Sequence, residues 1–546
     1  MSKKFSIYKI NEIGLLKFFS KHKSIIIPSL FILSYLIFSF LIDSTSQSLV
    51  AHDEGLYARR SRLLQESTNW FSPPFASAHH KTLGSYWLIA LSLKLFGKSE
   101  LALRLPSILS SFICLITTYL ITLKISNKKS AFLAVFSLSS MPLWIQYSRY
   151  ASPDLPFVLC ILLFILFFLN FINTPEYTYK FIYIFFSGLF ISVAFFIRSY
   201  MTFVPLIGLA PFLIYNLIRH KKIYNIFFTI GILIGFIPTF LNLYYSYTIY
   251  GISGIKLLFD FAKEKAIGSF SFSNSLLIPV NYIYLSFPIG LLFLLLFVFT
   301  KSNTRIKYPL LIYLYPLLSI TILLCMSKTY LHYYIFLLPQ LSILFAVKLN
   351  SFSFKFSYSK IVIRYILFSF MVLISAIIIL VLFYNKEFLT EYSSRQLLFL
   401  YIASFSLIFS YLFCLRYLFD TRKIKYNLLN LFYNIVIPQI YIIILLYNFG
   451  IIGNPNFKLK SFLNDEDVSS IVNANTIYLY NVDSKINTLL SYYLPSSINI
   501  KSSDEIFMYN YVITSDRDSF RNFDTDSVFR SIKKFDNHFL MVNKFK

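Results

Sequence analysis

Long apolar runs recur from one end of the chain to the other, separated by short polar stretches, and the first of them follows a basic start, MSKKFSIYKINEIGLLKFFSKHK. A helix needs about 20 apolar residues to cross the hydrocarbon core. Lipid offers the backbone no hydrogen-bond partners, so a spanning segment must satisfy its own. The pattern predicts thirteen spans, over 24–42, 105–124, 129–146, 153–172, 179–197, 201–218, 224–243, 276–299, 307–326, 330–348, 361–383, 396–418 and 428–448. The expected fold class is an α-helical polytopic membrane protein with about 13 transmembrane helices.

Beyond residue 448 the pattern changes. Charges return, NTIYLYNV and YNYVITS are rich in the Tyr, Ile and Val that favour strands, and KINTLLSYYL has a helical pattern. Residues 1–448 are expected to form the membrane domain, and 449–546 a small α/β domain outside the membrane. With no cysteine to staple it, that domain is expected to lean on its neighbour for stability.

Charge gives the orientation. The N-terminal segment and the alternate loops NKK, RHKK, KSNTRIK, 348–364 and RYLFDTRKIK are rich in Lys and Arg. By the positive-inside rule they belong to the cytoplasmic side, and an odd number of spans puts the C-terminus outside. The first apolar segment lacks a small-residue cleavage site and reads as a retained anchor. A mean hydropathy of +0.65 with only 14% charged residues excludes an ordinary soluble protein. The net charge of +26 is spread among loops that meet anionic headgroups, so no nucleic-acid partner is expected. The four cysteines, Cys114, Cys160, Cys325 and Cys414, all fall in predicted spans, which argues against a disulfide framework or a thiolate metal cluster.

The loop 43–104 is too long for a simple connection. EGLYARRSRLLQES and YWLIALSLKLFG read as helices lying on the membrane, the first with Tyr57 and Leu64 on one face and Arg59, Arg60 and Arg62 around the others, the second ending at Gly97. They would roof the outer mouth of the bundle, where a lipid headgroup could sit. Transfer of a sugar from a lipid phosphate to a hydroxyl needs a group to accept the hydroxyl proton, which a positioned Asp can do, and a cation on the leaving phosphate. Asp53, Asp154, Arg149 and Lys328 all map to the outer side, and Lys81, Arg59 and Arg149 are the candidate phosphate cations. Each has a plainer alternative: Asp53 as a solvated boundary residue, and Asp154, after Ser152 and Pro153, as an acidic residue of a helix's first turn. Lys328 and His332 stand four apart, which places them on one helical face beside Tyr333 as a headgroup contact or as part of an aromatic belt with a snorkelling lysine. His79 and His80 are candidate ligands for a divalent metal ion, although adjacent histidines do not readily aim at one point and no HxxxH or HxH spacing is present. No Walker or dinucleotide glycine pattern calls for a nucleotide, and no other cofactor is implied.

Asp53 and Glu54, the Tyr57-Ala58 pair, Lys81, the Tyr86-Trp87 pair, LFG ending at Gly97 and RLPS from Arg104 to Ser107 resemble the first outer loop of the GT-C membrane glycosyltransferases, in the branch of the lipid A aminoarabinose transferases and protein O-mannosyltransferases. YLHYYIFLLPQLSILFA resembles a later segment of that branch. The resemblance implies a GT-C-like fold and inverting transfer of a monosaccharide from a polyprenyl-phosphate-linked donor to a lipid, glycan or protein acceptor, in a bacterial inner membrane. It implies Asp53 as the catalytic carboxylate, Asp154 as the second acidic position and Lys81 on the lipid phosphate, with Glu54, Tyr57, Arg59, Tyr86, Arg149, Lys328, His332 and Tyr333 as further substrate contacts. Two departures stand out: Leu56 where relatives tend to carry Arg, and His80-Lys81-Thr82-Leu83 where many have Glu-Lys-Pro-Pro. They bear on the phosphate contacts and any metal site, and argue against aminoarabinose as the sugar. A flippase or transporter of lipid-linked sugar, and a lipid-linked glycan polymerase or ligase, are the alternatives. The first would favour broken or charged helices at the midplane, the second a large outer loop late in the chain.

Overall fold

The computed structural model describes residues 29–37, 47–50, 54–71, 81–267, 286–302, 307–326, 330–354, 359–384, 393–419, 424–500, 504–515 and 529–543. The molecule is mostly helical, and among the described residues six helical segments are long and apolar enough to cross a membrane: Glu100–Ile125, Asp154–Asn173, Tyr177–Arg219, Lys222–Tyr250, Leu331–Asn350 and Ser394–Cys414. Shorter apolar helices, among them Ile289–Phe299, Leu310–Cys325 and Tyr433–Asn448, fall inside other expected spans.

The differences from the sequence reading have local causes. The expected span 129–146 is broken into helices Lys128–Ser139 and Pro142–Tyr147. Pro142 has no N–H to continue the first helix and pushes Met141 into an extended conformation, ψ 126°. Leu331–Leu337 is a 3-10 segment, and Tyr330 before it is extended at φ −107° and ψ 153°, so the α-helical face expected to carry both Lys328 and His332 does not reach back to residue 328. A helix over Ile252–Ile267 had no counterpart in the reading.

Helices Tyr177–Arg198 and Lys222–Tyr250 pack with their backbones in contact. A Cβ at Gly188 would stand 2.2 Å from the Phe228 carbonyl oxygen, and one at Gly231 would stand 2.1 Å from that of Phe185. Small residues at crossings allow this approach, and close packing is what drives helix association in lipid. The bundle interior is filled by Trp144, Phe157, Phe164, Phe168, Phe171, Tyr315, Phe336 and Phe345.

At one end of the bundle lie helices Glu54–Glu66 and Gly84–Phe96, the first two pieces of the long loop. Gly97 ends the second in a left-handed conformation, φ 83°, which glycine adopts without strain. The next helix begins at Ser99, whose hydroxyl accepts a 3.1 Å hydrogen bond from Ala102 N.

Strands β1 (Thr300–Ser302) and β2 (Phe352–Phe354) form a two-stranded antiparallel ladder. The C-terminal region carries a five-stranded sheet of β3 (Tyr478–Tyr480), β4 (Ile498–Asn499), β5 (Tyr511–Thr514), β6 (Phe529–Phe535) and β7 (His538–Asn543), in the order β4-β3-β5-β7-β6. β3 is parallel to both β4 and β5, while β7 is antiparallel to β5 and β6, with a bulge between Ser531 and Lys533. The expected strands at 475–482 and 509–515 and the helix at 485–494 correspond to β3, β5 and Ser484–Tyr493. The sheet shares a hydrophobic core with the loop helices: Tyr57, Ala58, Leu64, Tyr86 and Ile89 pack with Leu479, Leu489, Leu490 and Ile513.

Candidate active site

Glu54 opens its helix with no exposed surface. Its carboxylate takes four hydrogen bonds, from Arg104 Nε at 2.8 Å, Arg104 Nη2 at 2.9 Å, Val50 N at 3.0 Å and Ala151 N at 3.0 Å. Arg104 Nη2 also donates to the Ser48 carbonyl at 3.2 Å. Two residues on, Ser107 donates to the carbonyl of Ser152 at 3.3 Å. The RLPS segment thus holds two things at once: the start of the Glu54 helix, directly after Asp53, and the 148–153 turn, directly before Asp154. Glu54 was expected to touch substrate. All its acceptor capacity is used inside the protein, so its geometry is that of a positioning residue.

Asp154 starts its helix 3% exposed and is paired with Arg198. An acidic residue in a first turn suits the helix dipole, but burial at the rim needs the cation as well. The Arg198 guanidinium also lies over the rings of Tyr333, at 5.6 Å, and Phe157, at 5.9 Å. His332 packs edge-on against Tyr333 with centroids 4.8 Å apart and sits 5.6 Å from the ring of Tyr147.

The second group is built on the loop helices. Tyr57 and Tyr86 stack at 5.1 Å, Lys81 Nζ stands 5.4 Å from the Tyr57 ring, and Arg60 Nη1 donates to the Tyr86 hydroxyl at 3.1 Å. Burial raises the Tyr86 phenol above its ordinary range, with Tyr57 adding to the effect and Arg60 and Lys81 opposing it. It is therefore a neutral hydrogen-bonding group at neutral pH. The positive charges of Arg198 and Lys81 are both felt at His332, which ties the two groups into one site. Arg59 is half-buried, and its guanidinium is pulled down by desolvation and by the neighbouring charges of Arg62 and Arg60.

Arg149 lies among different neighbours. It is 4% exposed, its guanidinium is over the Tyr447 ring at 4.9 Å, and burial pulls it down to about 10, with Tyr35 and Tyr447 opposing and Arg104 adding to the fall. Arg62, expected on an outer face, turns inward and donates to the Tyr492 carbonyl at 2.6 Å. Asp53, His79, His80 and Lys328 lie outside the described residues. Among the described residues no group of three or more His, Cys, Asp or Glu side chains could hold a metal ion.

Arg198, Arg60 and Tyr147 were not singled out from the sequence. Arg198 had a visible signal: it is a lone cation between two apolar runs, on the side of the bundle already assigned to Asp154. Arg104 stood in the RLPS motif without a role, because its partner Glu54 is 50 positions away.

Comparison with known proteins agrees with this arrangement. Residues 80–245 match the family model described as dolichyl-phosphate-mannose-protein mannosyltransferase. The chain is 31% identical over 127 residues to an undecaprenyl phosphate-alpha-4-amino-4-deoxy-L-arabinose arabinosyl transferase 2 of Pseudomonas fluorescens, covering 23% of this chain and 22% of that protein. It is 25% identical over 196 residues to the corresponding transferase of Shewanella sediminis, covering 35% of each. The matched stretches thus span about a quarter to a third of these relatives. The crystal structure of ArnT from Cupriavidus metallidurans bound to undecaprenyl phosphate superposes with a TM-score of 0.71 at 14% identity, over 96% of this chain and 98% of that one. Nearly the whole chain has the fold of ArnT, and together with the matches through the loop and the helices after it this bears out the resemblance to the aminoarabinose transferase branch of the GT-C membrane glycosyltransferases.

Proposed function

We propose that this protein transfers a monosaccharide from a polyprenyl-phosphate-linked donor to a hydroxyl of a lipid, glycan or protein acceptor, with inversion, on the non-cytoplasmic face of a bacterial inner membrane. One observation supports it above the others: Lys81, on the Tyr57–Tyr86 stack, and the Asp154–Arg198 pair both act on His332, in a chain whose Glu54 brace fixes the helix that begins immediately after Asp53.

In this reading the acceptor oxygen attacks the anomeric carbon from the face opposite the phosphate. The new C–O bond forms as the bond from the anomeric carbon to the phosphate oxygen breaks. The polyprenyl phosphate leaves with the electron pair, and Asp53 takes the acceptor proton, a general-base role worth about 10²- to 10⁴-fold. Lys81 offsets the charge that grows on the phosphate, and Arg198, held by Asp154, adds positive potential on the same side. The tyrosines supply ring faces and neutral hydroxyls for a sugar. A divalent ion at His79 and His80 would add a further cation near the phosphate; the bond changes above do not require it.

The test is mass spectrometry of envelope glycolipids, glycans and glycoproteins from cells carrying the wild-type chain, no chain, or Asp53→Asn. The expected result is one sugar mass lost from one fraction in both altered strains, with the lipid-phosphate sugar accumulating. Unchanged fractions in the strain lacking the chain would overturn the activity, and a normal product with Asp53→Asn would overturn the role of Asp53.

A further inference from the structure

Arg149 is buried, yet of its three guanidinium nitrogens only Nη1 has a protein partner among the described residues, a long 3.5 Å hydrogen bond donated to Asn448 Oδ1. Nε and Nη2 have none. Those two N–H groups point in parallel from one edge of the planar group, and that edge meets the two oxygens of a carboxylate or phosphate as a fork. Arg104 shows the edge in use in the same molecule, with Nε and Nη2 on the two oxygens of Glu54.

The groups that act on the Arg149 charge are the phenols Tyr35 and Tyr447 and a second cation, Arg104. No carboxylate is among them. A buried guanidinium with its forked edge unpartnered is costly, and native proteins seldom leave such a group unmatched unless something else arrives to match it. The cation's face is already taken by Tyr447, which holds the plane in one orientation and leaves the edge to choose its ligand. Arg149 also sits on the 148–153 turn that Glu54 and Ser107 pin, five residues before Asp154, so its position is tied to the candidate site.

We infer that the Nε–Nη2 edge of Arg149 is a binding site for a phosphate oxyanion carried in by a lipid, gripped two-pronged between Tyr35, Tyr447 and Asn448. The inference rests on the proposed function, which brings a lipid phosphate to this end of the bundle. It adds a second grip beside Lys81, approached from the first and last helices rather than from the loop.

The experiment uses the full-length protein in detergent, wild type against Arg149→Met and Arg149→Lys, and measures melting midpoints and direct binding of three probes: undecaprenyl phosphate, dioleoyl phosphatidic acid and inorganic phosphate. The expected result is at least a tenfold rise in the dissociation constant for undecaprenyl phosphate in Arg149→Met. Arg149→Lys, a point charge without a fork, should recover less than half of that loss. Neither variant should lower the ligand-free midpoint, because no protein partner is lost. Weakening confined to undecaprenyl phosphate assigns the site to the carrier lipid, and equal weakening for phosphatidic acid assigns it to lipid phosphate in general. The inference is overturned by weakening of inorganic phosphate alone, by unchanged binding of the two lipids in Arg149→Met, by a wild type that binds neither lipid, or by a ligand-free midpoint that falls in both variants. Binding is read without turnover, so lost or absent transfer with this binding intact would count against the proposed activity and leave the Arg149 site standing.

Discussion

Replacing Glu54 with glutamine tests the brace directly. Oε1 accepts from Arg104 Nε and Ala151 N, and Oε2 accepts from Arg104 Nη2 and Val50 N. Whichever way the amide is turned, its NH₂ group faces two donors, so at least two hydrogen bonds are lost and Arg104, 3% exposed, keeps a charge without a counterion. Removing one partner from a buried pair costs about 3–5 kcal/mol, against a total stability of about 5–15 kcal/mol for a typical domain. Arg104→Gln should cost a similar amount by stranding Glu54. The double variant should cost less than the sum of the two, since each change cures the uncompensated charge left by the other. The assay is a double-mutant cycle on denaturant unfolding of the purified protein, followed by the fluorescence of its three tryptophans. Transfer measured on the same samples should show kcat falling further than the donor KM rises, because the brace positions residues rather than touching substrate. A Glu54→Gln protein that unfolds at the wild-type midpoint, or single costs that add within about 0.5 kcal/mol, would refute the reasoning.

Other expectations follow from the same geometry. Lys81→Gln should raise the donor KM by about tenfold or more, the value of one charge-assisted hydrogen bond, with little loss of stability; an unchanged KM in steady-state transfer assays would remove Lys81 from the donor site. Gly84→Ala would place a Cβ 2.6 Å from the Phe196 carbonyl oxygen, a backbone atom that cannot step aside, and should cost about 1–3 kcal/mol in thermal unfolding. His538 lies in the C-terminal sheet with its ring stacked on Phe535, and desolvation lowers its pKa while Asp483 and Asp536 oppose the shift. Its folded state therefore binds protons less readily than the unfolded one, so the sheet's stability should fall as pH drops below about 6.5 and level off once the folded pKa is passed. Replacement by leucine should flatten that dependence in pH-dependent melts.

Much of the fold was legible because lipid enforces a simple rule, about 20 apolar residues per crossing helix, and because the motif residues of the loop are contiguous. The break at Met141 was also written in the sequence, as Pro142, but hydropathy averages across a proline and hides it. Other features were unreadable because their partners are distant. Arg62 carries the same charge as Arg59 and Arg60, and its inward turn depends on a carbonyl 430 positions later. Glu54 read as a second catalytic-loop acid because adjacent carboxylates look alike in sequence. Only the approach of Arg104 distinguishes the buried one. The strands β6 and β7 escaped because FRSIKKF and HFLMVN lack clean alternation, and their pairing carries a bulge.

The union of loop and sheet explains why the chain places a soluble-looking fold beyond its last span. Helices Glu54–Glu66 and Gly84–Phe96 each have a buried face, and a membrane bundle alone can cover one side of them. The C-terminal region covers the other: a Cβ on Gly55 would come within 2.9 Å of Leu489, Lys460 pairs with Glu100 at 2.5 Å, and Asn456 donates to the Leu49 carbonyl at 2.8 Å. Ser48, which accepts from Arg104 through its carbonyl, also donates through its hydroxyl to Asn454 at 2.6 Å. The Glu54–Arg104 brace is therefore fastened from the C-terminal side as well as from the bundle. Loosening the sheet, as by Leu489→Ala with its cavity cost of about 2–5 kcal/mol, should be felt at the candidate site as lowered transfer even though the substitution touches none of its polar residues. Transfer that survives unchanged in a folded Leu489→Ala protein would show that the site is set by the bundle alone.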